Sequence, residues 1–312
     1  MDLLFENLKG DDLSQAATSL RHLRTILLND INDSLNSRTE EEQREAAITH
    51  ILNLARNTDI LGILVRRLPN FDFEARKDAV LIFSNVLRRA RSDNGTIISN
   101  LEGQQVLKLL ILGYSNGEIA LNCGSMLRDC VKHDRLVKNI LEQEEVWKFF
   151  EYVESNHFDV ASDAFETFKE ILMRHVEISS EWIEKNEPAF EESYNKLLKS
   201  DNYVTRRQSL RLLGEMLMER RNFKFLQTYI AQPRNLQLIM NLLLDRRRNI
   251  QFEAFHVFKI FVLNPRKKEG VSQILKTNKQ RMLTFFEDFL EDRDDSQFQR
   301  EKTSIVNEIR KL

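Results

Sequence analysis

The chain has 312 residues, 42% of them apolar and 30% charged, with a formal net charge of −2. Nine glycines and four prolines make up about 4% of it, where roughly 12% is ordinary. That scarcity of turn-formers excludes collagen, Pro/Gly linkers and many-turned β-sandwiches, and it argues against a nucleotide-binding α/β fold with its glycine phosphate loop; the near-neutral charge provides no global field for nucleic acid or membrane.

What remains is a nearly all-helical chain. Its start, Met1-Asp2-Leu3-Leu4-Phe5-Glu6, lacks the basic and long apolar regions of a signal peptide. Asp30, Asn32, Ser34, Asn36 and Glu41 occupy positions 1, 3, 5, 7 and 12 of a calcium-loop spacing, but Leu35 stands where the sharp turn needs Gly, so an ordinary polar loop is expected. Pro69, Pro233 and Pro265 fall between predicted helices, where a missing N–H costs least. Asp72, Asp159, Asn202 and Asn249 each precede a predicted helix and can cap its first N–H groups. Residues 92–100 read as a loop. Apolar runs such as 109–112 are far too short for a membrane span. Cys123 and Cys130, seven apart, share a helix face as buried thiols in a reducing compartment. Pro188 interrupts an otherwise helical 181–199 and predicts a break or a first-turn proline.

Five segments share a pattern: a small residue, with apolar positions one and four residues later. The small residues are Ala79, Cys123, Ala164, Ser209 and Ala254, spaced by 44, 41, 45 and 45. In the second copy Gly124 breaks the first apolar slot, and Met126 is expected to fill the core there. A weaker first copy is read at Ala47-Ile48-Ile51 and a last one around Thr303 and Ile305. A period of 40–47 belongs to the armadillo/HEAT class, in which units that cannot bury their apolar face alone stack on one another. The expectation is an all-α helical-repeat solenoid, a single domain over 1–312 with six to seven repeats. Each repeat would be a helix pair, its marked helix lining a concave face.

Catalytic patterns do not emerge. There is no glycine cluster for a phosphate, no paired Cys/His spacing for zinc and no nucleophile elbow. His256, between Phe255 and Val257, reads as a satisfied helix histidine. No cofactor, metal or small-molecule substrate is expected, and the chain is read as a non-enzyme. Residues 203–268 carry 14 Lys/Arg and four Asp/Glu. Most of these cations read as solvated faces; a sharper alternative is a basic groove through which a general adaptor binds protein cargo or RNA.

Four strings carry a resemblance: Asn122-Cys123-Gly124-Ser125-Met126-Leu127-Arg128; Phe158-Asp159-Val160-Ala161-Ser162-Asp163-Ala164-Phe165; Asn202-Tyr203-Val204-Thr205-Arg206-Arg207-Gln208-Ser209-Leu210; and Arg248-Asn249-Ile250-Gln251-Phe252-Glu253-Ala254-Phe255-His256-Val257-Phe258-Lys259. From about Asp72 to the C-terminus the chain resembles the mouse-protein-twenty-five family, also called calcium-binding protein 39. The resemblance implies a horseshoe of armadillo-like repeats without catalytic activity. It implies a cytoplasmic scaffold, monomeric until complexed, that holds a pseudokinase or a germinal-centre-type kinase active; fungal members serve morphogenesis and cell polarity. It implies two surfaces: Phe158, Tyr203 and Arg207 on the concave face, gripping the kinase small lobe, and Arg220, Phe223, Gln237 and Met240 around a C-terminal pocket for a Trp-Glu-Phe tail. Gln237 stands where the family often has Lys.

Overall fold

A computed structural model describes residues 2–28, 38–90, 95–103 and 105–312, and among them every regular element is an α- or 3-10 helix. The chain divides into two compact units, Met1–Ser179 and Ser180–Leu312. The first holds α1 (Asp2–Lys9), α2 (Leu13–Leu28), α3 (Arg38–Asn57), α4 (Ile60–Arg67), α5 (Phe73–Arg89), α6 (Thr96–Gly103), α7 (Val106–Leu112), α8 (Ala120–Val131), α9 (Asp134–Glu142), α10 (Phe149–Tyr152) and α11 (Phe158–Met173). Then α12 (Val176–Lys185) runs across the division. The second unit continues with α13 (Glu187–Leu197), α14 (Tyr203–Met218), α15 (Phe223–Ala231), α16 (Pro233–Leu243), α17 (Arg248–Leu263), α18 (Glu269–Glu287) and α19 (Ser296–Arg310).

In the first unit the helices stack in three rows: α2 on α5, α5 on α8 and α8 on α11; α1 on α4 and α4 on α7; α3 on α6 and α6 on α9. Each repeat therefore has three helices, not the expected pair. The extra helix comes partly from α6, which occupies residues 96–100 of the stretch read as a loop. In the second unit α14 packs on α17, and α17 on α19.

The small residues explain the stacking. Ala79, Cys123, Ala164, Ser209 and Ala254 are all at most 1% exposed, each on a row helix of its own unit, where a bulky side chain would hold neighbouring backbones apart. Met126 is fully buried, as expected. The first copy is elsewhere than anticipated. Ala47, Ile48 and Ile51 lie on α3, outside the row, whereas α2 carries the same pattern as Ser19, Leu20 and Leu23, all buried, and packs on α5. At the other end Ile305 is buried on α19, but Thr303 is exposed, so no small-residue slot forms there.

Helix starts follow the capping chemistry in two of the four expected places. Asp72 accepts from Ala75 N at 2.8 Å, and Asn202 from Val204 N at 2.9 Å. The other two helices begin earlier: His157 and Arg247 stand at the N-cap positions, which leaves Asp159 and Asn249 inside the first turn. Pro188 sits in the first turn of α13, and Pro233 opens α16, as the fixed proline φ favours. Cys123 and Cys130 are buried free thiols on α8; burial pushes the Cys123 thiol up to about 12 and raises Cys130 too, which keeps both protonated and inert.

Candidate partner-binding surface

The row helices run parallel, as their contacts require. Near the start of α5, Arg76 pairs at 2.8 Å with Glu118, just ahead of α8; late in α5, Ser84 donates to Asp129, late in α8. Early meets early and late meets late. The same edge of the row therefore collects the helix starts. At that edge Phe73 and Phe158 open α5 and α11, and Leu121 is second in α8; they are 68%, 70% and 43% exposed. Phe158 was singled out in the sequence, but Phe73 and Leu121 were not. Their signal was positional: each falls where a row helix begins, Phe73 directly after the capping Asp72.

In the second unit Tyr203 opens α14 and is half-buried. The Asn249 side chain donates to its hydroxyl at 3.1 Å, and the Arg247 guanidinium stacks 5.1 Å from its ring centre. One turn on, Arg207 reaches Glu253 on α17 at 3.6 Å. The Glu253 carboxyl is buried, and desolvation lifts it above the usual carboxylate range, partly offset by Arg207. Two neighbouring row helices thus hold Tyr203 and Arg207 in place while leaving both partly open to solvent.

Gln237 and Met240 lie together on α16. With Asn241 they face Gly270, Gln273 and Ile274 of α18 across a groove of about 420 Å³. Arg220 and Phe223 do not line that groove: Arg220 is exposed in a 3-10 turn (Arg220–Asn222), and Phe223, 58% exposed, opens α15.

Much of the charge in 203–268 is spent on internal pairs. Arg206 bonds Asp245 at 2.7 Å, Lys224 bonds Glu184 at 2.8 Å, Lys259 bonds Glu301 at 2.7 Å, and Arg234 and Arg248 hold Glu191 and Asp292. Three of these contacts join helices, α12 to α15, α13 to α16 and α17 to α19, and two tie a helix to an acid in a loop, Asp245 or Asp292. His256 packs edge-on against Phe252, with its Nδ1 3.7 Å from Glu301. Among the described residues no three His, Cys, Asp or Glu side chains gather to hold a metal, and no helix is long and apolar enough to cross a membrane. Residues 30–37, most of the calcium-like window, lie outside the described residues.

Three-helix repeats keyed by buried small residues define an all-α helical-repeat protein. The Mo25-like family model matches residues 4–312, and the chain belongs to that family. It is 42% identical over 275 residues to human "Calcium-binding protein 39-like", covering 88% of this chain and 82% of the relative. It is 45% identical over 274 residues to the "Degreening-related gene dee76 protein" of Auxenochlorella protothecoides, covering 86% and 85%. With the "Mo25-like protein" of Schizosaccharomyces pombe it shares 44% identity over 252 residues, covering 80% and 77%. The resemblance first read from about Asp72 thus reaches back almost to the start of the chain.

Proposed function

We propose that this chain is a non-catalytic cytoplasmic scaffold that binds a protein serine/threonine kinase or pseudokinase and raises kinase activity. Family membership supports the scaffold role. The single observation that carries partner binding is the recurrence of exposed apolar side chains at successive helix starts, Phe73, Leu121 and Phe158. A lone exposed apolar side chain needs no explanation, but two phenylalanines and a leucine in the first two positions of parallel, packed helices form a repeated apolar edge that folding alone does not require. Tyr203 and Arg207 supply the aromatic and guanidinium groups that dominate protein interfaces. The mechanism is population shift: the scaffold binds the closed kinase arrangement better than the open one, and it activates by that differential affinity and no more. A tail ending in Trp-Glu-Phe would enter the groove at Gln237 and Met240, with Arg220 and Phe223 meeting it outside. The rival reading, an adaptor for RNA or cargo on a basic groove, is disfavoured because many cations of 203–268 already serve internal ion pairs.

The test is reconstitution. A kinase captured from the native lysate is purified and assayed with the wild-type chain, with Phe158→Ala and with Arg207→Ala. Wild type should raise turnover, and each variant should need a higher concentration for half-maximal effect with its thermal midpoint unchanged. Equal potency of all three would remove these residues from the surface, and no activation by wild type would remove the proposal.

A further inference from the structure

At the opposite edge of the first-unit row, the helices end on a cleft of about 410 Å³ lined by Ser84, Arg88, Asp129, Lys132, His133 and Arg174. Arg88 stands in the last turn of α5, Lys132 at the C-cap of α8 and Arg174 at the C-cap of α11. Three successive helices thus each deliver one permanent cation to the same concavity, where Asp129 is the one carboxylate of the lining. A helix C-terminus favours a nearby cation, which accounts for each residue singly. The convergence of three on a single cleft comes from the parallel stacking of the row.

Their present partners are local and exchangeable. Arg88 donates to the neutral Asn85 side chain at 2.7 Å; Lys132 pairs with Asp129 three residues back at 2.5 Å; Arg174 pairs with Glu170 four residues back at 3.0 Å. All three cations are exposed, and such intrahelical pairs contribute little because water screens them. A dianion can draw these side chains away from such partners. Two guanidiniums offer forked donors matched to tetrahedral oxygens, and the lysine adds a point charge. The lining has no aromatic ring other than His133 on which a base could stack, which disfavours a nucleic acid.

We propose that this cleft binds a phosphate monoester carried on a serine or threonine of a protein partner. The assignment does not rest on the kinase-scaffold reading: Phe158, Tyr203 and Arg207 are not part of the cleft, so the two fail separately. It is tested by fluorescence anisotropy on the full chain, with a labelled Ala/Gly peptide centred on phosphothreonine and twins carrying threonine or glutamate. The phosphopeptide should bind about ten-fold or more tighter than either twin, and free inorganic phosphate should displace it. Arg88→Ala with Arg174→Ala should cost about ten-fold or more in affinity, while Phe158→Ala leaves it unchanged. If the double variant shifts the thermal midpoint, Lys132→Gln alone is read in its place. Absence of phosphopeptide binding, equal binding of the glutamate twin, or wild-type affinity in a folded variant overturns the assignment.

Discussion

Arg128 on α8 reaches Asp163 on α11 at 2.8 Å, and Asp163 is the residue immediately before the buried Ala164. The relationship recurs. Arg24 on α2 meets Asp78, just before Ala79, at 3.0 Å, and Arg207 meets Glu253, just before Ala254. The small residue lets two row helices approach, and the acid beside it ties them with charge. Asp163 also accepts from the Tyr114 hydroxyl at 2.6 Å. Asp163→Ala should therefore take the charged partner from a guanidinium and a buried phenol and leave Thr167 as the acceptor for both, at a cost of about 1–3 kcal/mol. Urea denaturation checks this, with Glu192→Ala as the control: its pair with Lys196 is fully surface-borne and should contribute less than about 1 kcal/mol. Similar losses in the two variants would show that Asp163 is not a structural tie.

Gly124 interrupts the apolar pattern of the second repeat for a reason that lies on the same tie. A Cβ built there would meet the Asp163 carboxylate at 1.9 Å and the Tyr114 hydroxyl at 2.3 Å. Gly124→Ala should raise helix propensity on α8 yet destabilise by about 1–3 kcal/mol, because the hydrogen bond must open to admit the methyl group. In the Asp163→Ala background part of that cost should vanish, since the nearer of the two clashing groups is gone and the Tyr114 hydroxyl is no longer held by it. Additive losses in this double-mutant cycle would refute the steric explanation.

The row of marked helices was legible because backbone approach demands small residues at fixed places, and those places repeat. The repeat's internal make-up was not. α6 and α7 are eight and seven residues long, too short to display a helical period, and Val106–Leu112 is apolar nearly throughout. The first copy escaped because Ser19 stands 60 residues before Ala79, not about 44. Asp159 and Asn249 are good capping types, but the sequence leaves open whether the helix begins before or after them. The candidate surface was less legible still. Phe158 and Phe168 are the same residue on the same helix, one exposed and the other buried, and composition does not separate them. Phe158, Tyr203 and Arg207 were identified through long family-like strings, whereas Phe73 and Leu121 emerged only when parallel packing aligned the helix starts.

A half-buried and a buried titratable group of the second unit make opposite contributions to acid stability. Burial, reinforced by Lys259, holds the His256 imidazole below its ordinary 6.5. The unfolded chain therefore takes up its proton first as pH falls from 6.5, and stability is lost until the folded value is passed. Glu253 is raised from 4.5 by burial, so its contribution is present below 4.5 and is lost as pH rises through the folded value. His256→Gln should flatten the fall in thermal midpoint as pH drops from 6.5, and Glu253→Gln should remove the loss on the rising side of 4.5. A His256→Gln midpoint that tracks wild type across that range would mean the imidazole is not desolvated in the fold.

The groove between α16 and α18 offers a gain-of-function test. Met240 and Ile274 give it an apolar floor, and a flexible thioether adapts well to an aromatic ring. Met240→Ala should weaken a peptide ending in Trp-Glu-Phe by about ten-fold, as expected for an aromatic anchor losing its contact. Gln237 is exposed at the same groove, one helical turn before Met240. Gln237→Lys would add a cation within reach of the tail's glutamate without disturbing a buried side chain. An exposed pair of this kind contributes about 0.2–1 kcal/mol, so affinity should rise roughly two- to five-fold and the gain should fade as salt is added. The same substitution should leave a Trp-Gln-Phe peptide unaffected, which separates a charge contact from a general change in the groove. Fluorescence polarisation reads both peptides; an equal gain for the neutral tail would place the glutamate away from residue 237.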